Sequence, residues 1–249
     1  MPLTGLKVLD LTRFIAGPIC TMLLADMGAD VIKIEPLGRG DESRHQGSII
    51  EGESWYFVGM NRNKRGMTLN LKSDEGREIF LTLARGADVV VENFRPDVMP
   101  KLGLGYDTLS GINPSLIYCA ISGFGKSGPK HLLPAFDLIA QGMSGFMSVT
   151  GYPDRMPLRA GISIADSIAG MYAAYGILLA VIARHRTGRG QEVNTSLLEG
   201  LISHLSYHAG RYLGLGEVPG PQGNDHPMLS PYGAFKAQDG YIIIAPSGH

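Results

Sequence analysis

The sequence predicts an α/β fold built on a parallel sheet. Short apolar runs that read as buried strands recur through the first half of the chain. Each is separated from the next by a stretch carrying helix start and stop signals. Strands alternating with helices need crossover connections, which makes neighbouring strands parallel and the crossovers right-handed.

The elements follow in order. KVLDL (Lys7–Leu11) is an apolar strand, broken by Ala16-Gly17-Pro18, where Pro18 suits the first turn of a helix. That helix is expected to run to about Met27, with Gly28 as its stop. VIKIE (Val31–Glu35) and MTLNLK (Met67–Lys72) are the next strands. Ser73 caps a helix whose first turn carries Asp74 and Glu75, as the helix dipole favours, and which ends near Gly86. DVVVENF (Asp88–Phe94) and LIYCAIS (Leu116–Ser122) are further buried strands. The second half is more helical: a short helix over Ala135–Gly142, and a long one from about Asp166 to His185, stopped by TGRGQ. EVNTSLLE (Glu192–Glu199) reads as a strand turning into a helix that fades before Gly214. A Gly- and Pro-rich loop, Gly214–Gly223, precedes a hairpin over Tyr232–Ala245 with Asp239-Gly240 at its turn. We expect a large domain over 1–215, and over 216–249 a linker with the start of a smaller domain that belongs to a longer protein.

Hydrophobic residues make up 44% and charged residues 18%, a globular balance, and the net charge of −1 offers no field to recruit nucleic acid or an anionic membrane. Any anionic ligand must therefore be held by local basic residues. Cys20 and Cys119 both lie in apolar runs, which suggests two buried thiols in a reducing cytoplasm rather than a disulfide scaffold. The N-terminus has Asp10 and no small-residue cleavage site, so it does not read as a signal peptide. Ile164–Ala183 is as long as a membrane span but holds Asp166; a helix buried inside a protein explains it better.

Two motifs suggest other chemistries. ISGFGKSGP (Ile121–Pro129) follows a strand and fits G-x-G-x-x-G, but Pro134 soon interrupts the helix such a loop should open. As an ATP loop it has Ala120 where the first glycine belongs. A glycine-rich turn is the simpler reading. His204 and His208 are four apart, expected on one helix face, but HLSYH lacks the glutamate of a zinc hydrolase, and no metal is expected.

Asp166 leaves two readings open on the residues alone. It is a helix N-cap, the more frequent role, or it is a nucleophile. For the second, a carboxylate at a helix N-terminus is expected to be held ionised by the dipole, and its small neighbours Ala165, Ser167, Ala169 and Gly170 leave room for a substrate.

The ordered set VLDLTRFIAGPICTMLLADMGADVIKIEP, GDESR, NRNKRGMTLNLK, ADVVVENFRP, NPSLIYCAISGFGKSGP, FDLIAQGMSG, ADSIAGMYAAYGILLAVIARHRTGRGQEV and SPYGAFKAQDGYIIIA resembles the family III CoA-transferases over essentially the whole chain. The resemblance implies a Rossmann-like large domain, a smaller second domain and an interlocked homodimer. It implies an acyl-CoA and a carboxylic acid acceptor as substrates, with no permanently bound cofactor. Asp166 matches the family's catalytic aspartate, which forms a mixed anhydride and then an aspartyl-CoA thioester. Ile15, Arg39, Leu69, Leu71, Lys72, Asn93, Phe94 and Lys101 fall where the family touches the coenzyme, and Gly220–Gly223 is the nearest match to its oxyanion-stabilising glycine loop. Apart from the resemblance, Arg39, Arg44, Arg62, Lys64, Arg65, Lys72, Arg95 and Lys101 form a basic set suited to the phosphates of CoA.

Departures from the family bear on substrate. Ile15 stands where oxalate-using members carry Gln, and Phe136-Asp137 where they carry Tyr-Glu, which points away from oxalate and toward a less polar acyl group. Asp137 is expected as a second carboxylate near Asp166. The family's racemases use a His at that place, so a transferase is favoured over a 2-methylacyl-CoA racemase. A truncated, non-catalytic CoA-binding protein is the other alternative.

Overall fold

The computed structural model describes residues 1–246. Its strands are β1 (Lys7–Asp10), β2 (Asp30–Glu35), β3 (Ile49–Ile50), β4 (Glu53–Ser54), β5 (Arg65–Thr68), β6 (Val89–Glu92), β7 (Ile117–Ser122), β8 (Glu192–Ser196), β9 (Gly233–Lys236) and β10 (Tyr241–Ile244). Its helices are α1 (Ala16–Asp26), α2 (Trp55–Asn61), α3 (Asp74–Arg85), α4 (Val98–Lys101), α5 (Tyr106–Ile112), α6 (Asp137–Met143), α7 (Ile164–Thr187), α8 (Leu197–Ser203) and α9 (Tyr207–Leu215).

Six strands pair in the order β5-β2-β1-β6-β7-β8, every pair parallel. Counted along the sheet's own strands this is third-second-first-fourth-fifth-sixth, the doubly wound order of dinucleotide-binding folds. Side chains alternate across it with period two. Val8, Val89, Val91, Ile117, Cys119 and Ile121 pack with Cys20 and Leu24 of α1 and with Ala169, Ala173 and Ile177 of α7. Leu9, Val90 and Tyr118 face the other way, toward Phe80 of α3 and Leu109 of α5. Both faces are covered, as a parallel sheet requires. Cys20 and Cys119 are fully buried free thiols.

α1 and α7 touch so closely that a Cβ on Gly170 would overlap the Ala16 carbonyl oxygen. α7 is long and apolar enough to cross a membrane by length and composition. Its inner face is buried on the sheet, while Met171, Tyr175, Leu179 and Ile182 stand exposed on the outer one.

Most expected elements are present, with local corrections. The third expected strand, Met67–Lys72, stops at Thr68. Leu69 still donates its N–H to Glu35 O (2.9 Å), but the Asn70 side chain then accepts from Lys72 N–H and turns the chain away. Ser73 caps α3 as expected, accepting from Gly76 N–H at 3.1 Å. The helix predicted to fade before Gly214 is two helices, broken at His204–Ser206, so His204 and His208 do not share one helix face. No helix follows Ile121–Pro129, and the glycine-rich segment is a turn without the geometry of a phosphate loop. The C-terminal hairpin forms, β9 pairing antiparallel with β10.

Candidate active site

In a doubly wound sheet the chain leaves β1 and β6 in opposite directions, which opens a crevice at their C-terminal ends. A cleft of about 1170 Å³ lies there. Its walls include Thr12–Ala16 after β1, Leu69–Lys72 after β5, Asn93–Pro96 after β6, and Ala135–Leu138, Arg159, Ser163 and Asp166 near the starts of α6 and α7.

The turn after β1 is held from four sides. Asp10 accepts from Thr12 N–H (2.8 Å), Thr21 Oγ1 (2.7 Å) and Lys64 Nζ (3.0 Å). Lys33 Nζ donates to Thr12 O at 2.7 Å and pairs with buried Asp41 at 2.9 Å. Asn93 crosses the switch point: its Oδ1 accepts from Arg13 N–H and its Nδ2 donates to Arg13 O, both at 2.8 Å. Phe14, at φ +64, sits in the left-handed region that non-glycine residues avoid, its N–H donating to Asp41 Oδ1 at 3.3 Å. Burial alone would raise the Asp10 carboxyl, but the Lys64 and Lys33 charges and the two threonines more than offset it and bring its pKa down to about 2.

The opposite wall is built differently. Asp166 is not the N-cap of α7; that helix begins at Ile164 and is capped from α6. Asp137 Oδ1 accepts from Ala165 N–H (2.8 Å) and Asp166 N–H (3.4 Å). Asp137 Oδ2 accepts from Gln141 Nε2 at 2.5 Å, and the fully buried Gln141 accepts from Ala160 N–H at 2.8 Å. Among the described residues the Asp166 carboxylate has no hydrogen-bond or ionic partner. Burial, then the charge of Asp137, pushes its pKa up to about 7, so the dipole does not hold it ionised as the sequence suggested. Tyr56 lines the same cleft, and burial, then the charges of Asp166 and Asp41, push its phenol up to about 12, leaving it a hydrogen-bond donor.

Of the residues singled out from sequence, Asp166, Asp137, Ile15, Leu69, Leu71, Lys72, Asn93 and Phe94 all line this cleft. Phe94 is braced by buried Glu92, which accepts its N–H at 2.7 Å, and Arg13 lies over its ring at 5.0 Å. Arg39 is exposed on the loop beside the cleft and is not on its wall. Lys101 pairs with Asp97 one helical turn away, outside the cleft. The basic set also divides. Arg44, Arg62, Lys64, Arg65 and Lys101 are tied to Glu35, Asp26, Asp10, Asp30 and Asp97, leaving Arg39, Lys72 and Arg95 without an ion pair among the described residues. The Gly220–Gly223 loop does not reach the cleft, and Gly223 N–H is engaged by Gly151 O at 2.6 Å. Sequence reasoning missed Tyr56, Phe14 and Arg159, which carry no local motif.

Fold and site define a doubly wound α/β protein with a solitary, near-neutral carboxylate in the cleft at its switch point. The family model described as CoA-transferase family III matches residues 3–249, and the chain belongs to that family. It is 47% identical to a succinyl-CoA:mesaconate CoA-transferase of Haloarcula marismortui, covering 98% of this chain and 63% of that protein. It is 44% identical to an acetyl-CoA:oxalate CoA-transferase of Acetobacter aceti, with 98% and 63% covered. The crystal structure of a CAIB/BAIF family protein from Brucella suis superposes with a TM-score of 0.92 at 43% identity, covering 98% of this chain and 66% of that one. The chain thus spans 55–63% of the length of the curated relatives it matches here.

Proposed function

We propose that this chain carries the CoA-binding and nucleophilic part of an acyl-CoA:carboxylate CoA-transferase, acting through an aspartyl-CoA thioester on Asp166. The observation that carries the reading is the unpartnered Asp166 carboxylate in the switch-point cleft. Its oxygen attacks the thioester carbonyl, giving a mixed anhydride and releasing CoA thiolate. The thiolate attacks the aspartyl carbonyl, expelling the donor acid and leaving the aspartyl-CoA thioester. The acceptor carboxylate then attacks that thioester, and the thiolate released takes the acceptor's acyl group, restoring Asp166. Lys72 and Arg95, on the loops after β5 and β6, suit the phosphates of the coenzyme.

The acceptor acids in the relatives' names, oxalate, mesaconate, glutarate and citramalate, each carry two carboxylates. We take a dicarboxylic acid as the substrate class, longer than oxalate because Ile15, Phe14 and Phe136 present an apolar wall suited to methylenes. The reading includes a homodimer, supported by the exposed apolar face of α7, and a division of the chain after Leu215, where α9 ends. It also includes a reducing cytoplasm, supported by the free thiols Cys20 and Cys119. A racemase needs two groups facing one carbon. Here both Asp137 oxygens are engaged, and no described histidine lines the cleft.

The test is intact mass spectrometry after mixing with a panel of acyl-CoAs. A CoA-sized adduct on Asp166 is expected, absent in Asp166→Ala, with turnover lowered at least about 10³-fold in that variant. Turnover with no adduct would overturn the thioester, and α-hydrogen exchange in heavy water without acceptor would favour the racemase.

A further inference from the structure

We propose that Arg159 sets the specificity for dicarboxylates, its guanidinium receiving the carboxylate that does not react. This rests on the transferase reading for the identity of the reacting end, but not for the existence of the subsite. Arg159 lines the cleft together with Ser163 and Asp166, and it makes no ion pair or hydrogen bond among the described residues. The other cations near the cleft are committed or lie elsewhere. Arg13 is paired with Glu42, Lys33 with Asp41 and Arg44 with Glu35. Lys72 and Arg95 sit on the loops that follow β5 and β6.

The backbone beside Arg159 is fixed to the nucleophile. Ala160 N–H is held by Gln141 Oε1, Gln141 Nε2 holds Asp137, and Asp137 caps the turn that carries Asp166. One buried amide therefore couples the position of the guanidinium's own segment to that of the reactive carboxylate. Charge gives the second argument. Asp137 and Asp166 make this wall anionic, and a substrate with two carboxylates would be repelled from it without a compensating cation. Arg159 is that cation, and its planar fork binds a carboxylate through two parallel hydrogen bonds. The apolar Ile15, Phe14 and Phe136 line the same cleft, where methylenes lie without losing hydrogen bonds.

The test is calorimetric titration of the full chain with glutarate, with butyrate and with CoA. Wild type, Arg159→Lys, Arg159→Gln and Asp166→Asn are compared, with thermal melting to confirm folding. Glutarate should bind at least about tenfold more tightly than butyrate. Arg159→Gln should bring the two acids to parity, Arg159→Lys should keep part of the preference, and CoA affinity should stay unchanged in both. Asp166→Asn should retain the preference, so the subsite stands or falls separately from the adduct on Asp166. Parity in the wild type, or a preference surviving in Arg159→Gln, would overturn the proposal. So would a loss of CoA affinity in Arg159→Gln, which would make Arg159 a phosphate ligand.

Discussion

Two aspartates at the same end of the sheet have opposite fates. Asp10 is fully buried, yet Thr12, Thr21 and Lys64 satisfy both its oxygens, and its pKa falls to about 2. Asp166 is less deeply placed but has no partner and a like-charged neighbour, and its pKa rises to about 7. Depth alone does not distinguish structure from chemistry. A buried carboxylate with partners is a fastening, and one without them keeps its lone pairs for a substrate.

The largest expected effect comes from breaking the fastening. Lys64→Met removes the cation in contact with buried Asp10, leaving only the Lys33 charge near it, and should cost about 3–5 kcal/mol, read by urea unfolding. A cost under about 1 kcal/mol would erase the contrast between the two sites.

The next effect is catalytic. On the proposed mechanism Asp166 must be ionised to attack, so turnover should fall about tenfold per pH unit below about 7 and level off above it. Asp137→Asn, which removes the like charge while an amide oxygen still caps α7, should move that profile to lower pH, although burial keeps it above an ordinary aspartate's. A profile unmoved by Asp137→Asn would assign the titration to another group.

The smallest effect is on stability, and the two aspartates differ in sign. The folded pKa of Asp166 lies above its unfolded value, so the folded state holds a proton the unfolded state has lost, and stability declines as pH rises from about 4 to about 7. Asp166→Asn should therefore raise Tm by a few degrees at pH 8 and by little at pH 4, read by thermal melts. For Asp10 the folded value is lower, and its contribution is lost only as pH falls from about 4 through about 2.

What was legible in the sequence follows the range of the interactions. Ser73 capping α3, the hairpin at Asp239-Gly240 and the strands around Val8 and Val90 depend on neighbours a few residues away, and all are present. The cap of α7 comes from Asp137, 28 residues before Ala165, and no local pattern announces it. The basic set misled for the same reason. Arg62, Lys64 and Arg65 look free in the chain but pair with Asp26, Asp10 and Asp30, more than thirty residues distant. The family pattern brings Asp137 and Asp166 together, whereas Gln141, the buried amide that ties Asp137 to Ala160, lacks any signature of its own.

The order of the strands has a consequence for synthesis. β8 is the last of the six sheet strands to emerge and completes the sheet's edge beside β7, under the helix that carries Asp166. Until residue 196 has left the ribosome, the nascent chain holds the β1–β6 crevice but only part of the platform on which α7 rests. On the proposed mechanism, the place that receives the coenzyme is thus assembled before the group that attacks is locked down. A chain stalled between the two would be a binder without chemistry.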